Sequence, residues 1–438
     1  MPHRAVHWAV AAICGFLLNS AIASDLLGLY RDALRFDPQF SSARAAHAAS
    51  HEALPQARAR LLPSLDIRGH VMRGSDINAY AADRNQKTSG YTVSLKQPLF
   101  HWGDWQTYQQ GKLAAVKADI ALAQANQDLM LRVSEAYFEL LVAQDVASLA
   151  QAHLAAVAEQ LAQASAGARL GNATIVDVHE AQATCDQAMA DEIDARGVLE
   201  VRRSALAAIV GRDIDAVDSL RSMISLPRPI PGESGAWIAR AELQAYGVQL
   251  GEVTLETARR ETAKARAGHL PNIDLVASRE RQHRDGGAPY WGGRRDASQI
   301  GVQIQIPIFA GFAVQSRVRE TAALVEKARD ELTYAQRTAG LEARKAHVGV
   351  TTGLMRVAAL EAAEASARTA FESNRFGYQH HVRPNVDVLN AQYKLYRVRR
   401  ELAQARYRTL LESLRLKAST ASLDEADIAA MGRLLSRS

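Results

Sequence analysis

Between residues 99 and 226 the chain has no proline, and Val133, Ala136, Leu140, Ala143, Ala147, Ala150, Leu154, Val157, Leu161 and Ala164 fall alternately three and four residues apart. That spacing is a heptad seam and predicts a coiled-coil-like helix over roughly 104–166. At 1.5 Å per residue its length is on the order of 90 Å, several times the width of a small domain. Gly167, Gly171 and Asn172 break the pattern, and a second amphipathic run over 175–210 predicts an antiparallel helical hairpin. Residues 308–383 are also free of proline and predict another long helix.

A period of two precedes each long helix. In 91–100, Tyr91, Val93 and Leu95 alternate with Thr92, Ser94 and Lys96; with 65–73 this predicts a strand pair. The second pair is 273–280 and 299–309, where Ile300, Val302, Ile304 and Ile306 alternate with Gly301, Gln303 and Gln305. Polar, glycine-containing loops are expected between the partners, over 75–90 and 281–298.

The halves align as an internal duplication. Pro63 in Leu62-Pro63-Ser64-Leu65 corresponds to Pro271 in Leu270-Pro271-Asn272-Ile273, an offset of 208. Pro98 and Pro307, both inside Pro-apolar-Phe triplets, are 209 apart, and Asp177 and Asp387, both flanked by valines, are 210 apart. Three ordered, near-constant offsets mark a repeat. The expected organisation is a signal peptide (1–23), a first repeat (24–211), a Pro-rich linker (212–235) holding Pro227, Pro229 and Pro231, a second repeat (236–422) and a C-terminal tail (423–438).

Composition narrows the class. Of 438 residues 48% are hydrophobic, yet only 6% are aromatic, so much of the apolarity is alanine, which suits closely packed helices. The net charge of +5 is spread along the chain without basic runs interleaved with aromatics, which argues against a nucleic-acid partner. Arg4, the apolar segment 8–18 and Ala21-Ile22-Ala23 read as an export signal cleaved after Ala23. Cleavage would remove Cys14 and leave Cys185 alone, without an internal disulfide. No run of ~20 uninterrupted apolar residues follows the signal. Gly-x-Gly-x-x-Gly, phosphate-loop and Gly-x-Ser-x-Gly motifs are absent, so no enzyme and no cofactor is expected. His51-Glu52 and His179-Glu180 lack a histidine four residues further on, and the adjacent His380 and His381 point apart on a turn, so no metal site is expected.

Four alternating strands of about ten residues in an exported chain have the length of tilted membrane strands. Four strands cannot close a barrel, because an open edge in lipid leaves backbone groups unpaired. Several copies must share one barrel: two would supply 8 strands and three would supply 12, and strand physics does not choose between them. The competing class is a periplasmic coiled-coil structural or adaptor protein, which would lack membrane-length strand pairs.

The duplicated layout, the Leu-Pro strand starts, the Pro98 and Pro307 strand ends, and the tips Gly171-Asn172-Ala173-Thr174-Ile175-Val176-Asp177-Val178 and Arg383-Pro384-Asn385-Val386-Asp387-Val388-Leu389-Asn390-Ala391-Gln392 resemble the TolC family of outer-membrane exit ducts. The resemblance implies a mainly α fold with a membrane β-barrel: duplicated helical hairpins forming a periplasmic tunnel, and four strands per chain in a 12-stranded barrel shared by a homotrimer. It further implies loops facing outside the cell, a belt formed by the linker and C-terminal tail, and contact with outer-membrane lipid. Its partners would be a periplasmic adaptor and an inner-membrane ABC transporter or other pump. The missing lipid-anchor cysteine and the second tip favour the type I secretion branch, with polypeptide cargo, over drug or small-molecule efflux. By the same resemblance, Tyr378 and Arg383 bind Asp177 on a neighbouring coil to close the periplasmic gate, and Asp387 faces the lumen. Val176 stands where a polar threonine is usual, Asn390 where a second lumen acid is usual, and His381 where the turn commonly has glycine.

Overall fold

The computed structural model describes residues 25–435 except 79–80, 172, 215–216, 218–225, 286–292 and 381. The expected signal peptide, and part of the linker, therefore lie outside the described residues. Three short helices come first: α1 (Leu26–Phe36), α2 (Pro38–His51) and α3 (Ala53–Ala59). Strands β1 (Ser64–Asn78) and β2 (Ala81–Phe100) lead into α4 (Trp102–Arg169) and α5 (Ile175–Val210). The second half repeats this order with α6 (Ser234–Gln244), α7 (Tyr246–Arg266), β3 (Asn272–Asp285), β4 (Gly293–Gln305), α8 (Ala313–Gln379) and α9 (Asn385–Ser419), and α10 (Glu425–Leu435) closes the chain.

In the long helices the duplication holds to within a residue: α4 and α8 have 68 and 67 residues, α5 and α9 have 36 and 35. At 1.5 Å per residue each long helix is on the order of 100 Å. The predicted seam does the packing, since Val133, Leu140, Ala143, Ala150, Val157 and Ala164 are buried and the alternate seam positions half-buried. By average composition one stretch of α4 is long and apolar enough to cross a membrane, although polar residues interrupt it.

The main core lies part-way along the rods. Leu26, Leu29 and Ala33 of α1 meet Leu129, Val133, Tyr137 and Leu141 of α4, Leu206 and Val210 of α5, Leu410 and Leu414 of α9, and Ile428 of α10. Each buried leucine contributes roughly 1.5–3 kcal/mol. The C-terminal tail is thus a helix that clamps the chain start to the long helices, with Lys417 paired to Asp427.

The four strands form one antiparallel sheet in the order β1-β2-β3-β4. They run further outward than expected. Residues 75–78 and 81–90 continue the β1–β2 ladder, and 281–285 and 293–298 the β3–β4 ladder, so the expected loops 75–90 and 281–298 shrink to the ends of two long hairpins. At the other end β4 stops at Gln305, short of the expected 309, because Pro307 has no N–H to donate to a ladder.

Candidate functional site

The sheet register sorts side chains onto two faces. Leu65, Leu95, Ala277 and Ile300 stand side by side across all four strands, with Ile273 opposite Ile304 and Leu275 opposite Val302 in neighbouring rows. This face is largely open: Leu65 and Ile67 are 70% and 71% exposed, Ile300 76%. Tyr91, with Arg281 above its ring, is its outermost apolar residue on β2, and Val71 carries it one row further on β1. The other face carries Asp66, Ser94, Ser278 and Gln299 in one row and Asp274 beside Gln303. One face therefore suits hydrocarbon and the other water, as in a barrel wall. β1 and β4 each have a neighbour on one side only within the chain.

A polar network joins the sheet to the helices. Asp274, 8% exposed in its side chain, accepts from Lys96 Nζ at 3.0 Å and lies 2.9 Å from His101 Nε2, while His101 Nδ1 lies 2.9 Å from Asp104. Strand-period reading missed these residues, because Asp274 and His101 are far apart in sequence and only the β2–β3 pairing brings them together.

At the opposite end are the helical tips. α4 stops at Gly171, whose φ of +75° a residue with a Cβ rarely adopts. Thr174 then caps α5: Thr174 Oγ1 accepts from Asp177 N at 3.2 Å, and Asp177 Oδ2 accepts from Thr174 N at 2.9 Å and Thr174 Oγ1 at 2.7 Å. Asp177 is thus built into a capping box through Oδ2. In the second tip, Val382 N and Arg383 N donate to Gly377 O at 2.8 and 3.2 Å. A Cβ on Gly377 would stand 2.8 Å from Arg383 Cγ, so glycine makes room for the arginine.

Arg383 Nη1 donates to Asp387 Oδ2 of its own chain at 3.3 Å, with 60% and 34% of the two side chains exposed. Burial, with the nearby Asp177 charge second, pushes the Tyr378 hydroxyl above its ordinary pKa, so those two predicted residues are neighbours within one chain. Asn390 and Val176 are exposed, and Val176 has no side-chain polar atom to offer. His381 lies outside the described residues.

Further up, a groove of about 630 Å³ between α4, α5 and α9 is lined by charged residues, including Glu139 and Arg202, which pair at 2.8 Å. Glu135, Asp191 and Asp194 also line it, with Arg400, Arg408 and Arg415 among them, so acids and bases are interspersed along the groove. Beside it Tyr407 Oη donates to Asp145 Oδ2 at 2.9 Å, and burial raises the Asp145 pKa despite that bond and the charge of Arg406. Below it His153 stacks on Tyr396 at 4.7 Å, and burial lowers the imidazole pKa.

The sequence profile of the family described as "Outer membrane efflux protein" matches residues 29–212 and 237–422, one segment in each repeat. The chain is 30% identical over 438 residues to the alkaline protease secretion protein AprF of Pseudomonas aeruginosa, covering 97% of this chain and 90% of the relative. To the outer membrane protein TolC of Vibrio cholerae it is 29% identical over 431 residues, covering 96% and 95%. The crystal structure of CusC superposes with a TM-score of 0.80 at 16% identity, covering 91% of this chain and 92% of CusC, which is a likeness of fold.

Proposed function

The chain belongs to the outer membrane efflux protein family, and on that premise we propose that three copies close a 12-stranded barrel in the outer membrane and join their helical hairpins into a tunnel through which secreted polypeptide leaves the cell. An inner-membrane pump, an ABC transporter in the type I reading, loads this duct through a periplasmic adaptor docked at the helical tips. The observation that carries the assembly is the four-stranded sheet, apolar on one face, polar on the other and unpaired at β1 and β4. In hydrocarbon those edges require strands from further copies. Three chains of four strands make a barrel wide enough for an aqueous lumen, and the face bearing Asp66, Ser94 and Gln299 lines it.

Polypeptide cargo is supported by the relative named for alkaline protease secretion, which matches over nearly the whole length of both chains. At the tips, Arg383 and Tyr378 of one coil bind Asp177 of the next, holding the periplasmic end closed until a partner displaces them. Asp387 faces the narrowed lumen, and Asn390 supplies no second acid there.

The test has two arms. Mass measurement of the crosslinked, detergent-solubilised protein is expected to give three chains, and a stable monomer would refute the assembly. Deleting the gene is expected to remove a polypeptide from the culture medium; a change in drug susceptibility with an unaltered set of secreted proteins would overturn the cargo reading in favour of small-molecule efflux.

A further inference from the structure

α2 is rigidly seated. Asp37 caps it, accepting from Phe40 N at 2.7 Å, Pro38 takes its first position, and Arg132 of α4 holds the Asp37 carboxylate at 2.8 Å. The far end of α2 presents His47 and His51, four residues apart and so on one face, with ring centroids 4.3 Å apart. Both Nε2 atoms converge on Asp119 Oδ1 of α4, at 2.8 and 2.9 Å. One ligand atom from each residue lies within 4.8 Å of the other two. The side chains of His47, His51 and Asp119 are 27%, 40% and 59% exposed, so an ion in solution reaches them.

We propose that His47 Nε2, His51 Nε2 and the Asp119 carboxylate bind a divalent transition-metal ion of the zinc type, which clamps α2 to α4. Two imidazoles and one carboxylate form a mixed N,N,O set that suits Zn²⁺ and its neighbours, whereas Ca²⁺ and Mg²⁺ take oxygen ligands. A pair of histidines one turn apart on a helix is itself a chelate for such ions. With metal–ligand distances of about 2.0–2.2 Å, tetrahedral geometry asks for ligand separations of ~3.3 Å, so the Asp119 oxygen withdraws by about half an ångström from its 2.8 and 2.9 Å contacts, and the two Nε2 atoms, within 4.8 Å of each other, settle to the same separation. Asp119 is an exposed side chain with room to do so.

In the ion-free state the Nε2 atoms face the carboxylate as hydrogen-bond donors; to bind the ion each Nε2 gives up its proton, to Nδ1 or to solvent, and offers its lone pair, and water completes the coordination. A scan for a histidine four residues after His51 finds none, because the partner stands four residues before it. Asp119 is 68 residues from His51, and only the packing of α2 on α4 reveals it.

The experiment uses the untagged, assembled protein in detergent, stripped with EDTA and titrated with ZnCl₂ by calorimetry. One site per chain is expected, together with a zinc-dependent rise in the thermal midpoint. His47→Ala/His51→Ala should abolish the site. Asp119→Asn keeps an acceptor for both imidazoles, and so should leave the metal-free protein as stable as wild type while weakening zinc binding more than about tenfold. Co²⁺ in place of Zn²⁺ should give visible d–d bands in wild type that the double variant lacks. Absence of zinc uptake by wild type, or unchanged stoichiometry and affinity in Asp119→Asn and the double variant, would overturn the proposal.

Discussion

Replacing Arg383 by serine separates two consequences that the tip geometry ties together. Arg383 is paired with Asp387 of its own chain at 3.3 Å, and in the proposed gate its remaining N–H groups would serve the neighbouring Asp177. The Asp177 capping box uses Oδ2, so Oδ1 is the atom for that bond. Exposed ion pairs are worth about 0–1 kcal/mol each, so three equivalent links total at most about 3 kcal/mol. Removing them shifts the ratio of open to closed tips by up to about 100-fold. Arg383→Ser is therefore expected to raise single-channel conductance in planar bilayers. It should also increase cation selectivity, because the carboxylate of Asp387 loses its internal counter-charge. Arg383→Lys, which keeps the charge but not the forked geometry, should fall between the two. Adding Asp177→Ala to Arg383→Ser should change conductance little further, since both remove one link. Normal trimers with unchanged conductance and selectivity in Arg383→Ser would refute the latch.

Asp274→Ala removes the acid that half-exposed Lys96 and the more buried His101 share at the junction of sheet and helices, and should cost about 1–2 kcal/mol, read as a lower heat-dissociation midpoint of the solubilised assembly. Asp145→Asn keeps an acceptor for Tyr407 and removes a carboxylate whose pKa burial raises above the ordinary 3.8. Because the folded state holds that proton more tightly, wild-type stability falls as pH rises from about 3.8 through the elevated value. The variant should accordingly be the more stable at pH 7, the gap closing toward pH 4 in denaturation followed by circular dichroism. Inserting one residue within 91–95 should prevent membrane assembly by turning the apolar row of β2 toward the lumen, whereas the same insertion at 286–292 should leave trimer yield unaltered.

The long helices were legible because the signal repeats: a heptad seam sustained from Val133 to Ala164 averages out local noise, and two copies at a near-constant offset check one another. The inner parts of the strands were legible for a related reason, since Leu65, Leu95, Ala277 and Ile300 all obey a period of two. Beyond Tyr91 the sequence of β2 loses its alternation of apolar and polar residues, and 81–90 reads like a loop. The proline at 307 ends β4 earlier than hydrophobicity alone suggests. Contacts across the fold were the least legible. Asp274 with His101, Tyr407 with Asp145, and Asp119 with His47 and His51 are each ordinary polar residues in their own neighbourhoods, and only packing turns them into networks.

The near-equality of the paired long helices sets the kind of surface that a partner docking at the tips, as proposed, would meet. A difference of one residue between α4 and α8 amounts to about 1.5 Å over rods of roughly 100 Å, so both tips end at almost the same depth. Three chains then present six sockets in a ring that is sixfold in outline and threefold in chemistry. Three of them are stiffened by the Thr174–Asp177 cap, and three carry the Arg383–Asp387 pair. In the proposed gate each link joins one kind of socket to the other, so a partner seated on all six would meet both halves of every link, the Asp177 carboxylate on one tip and the Arg383 guanidinium on the next.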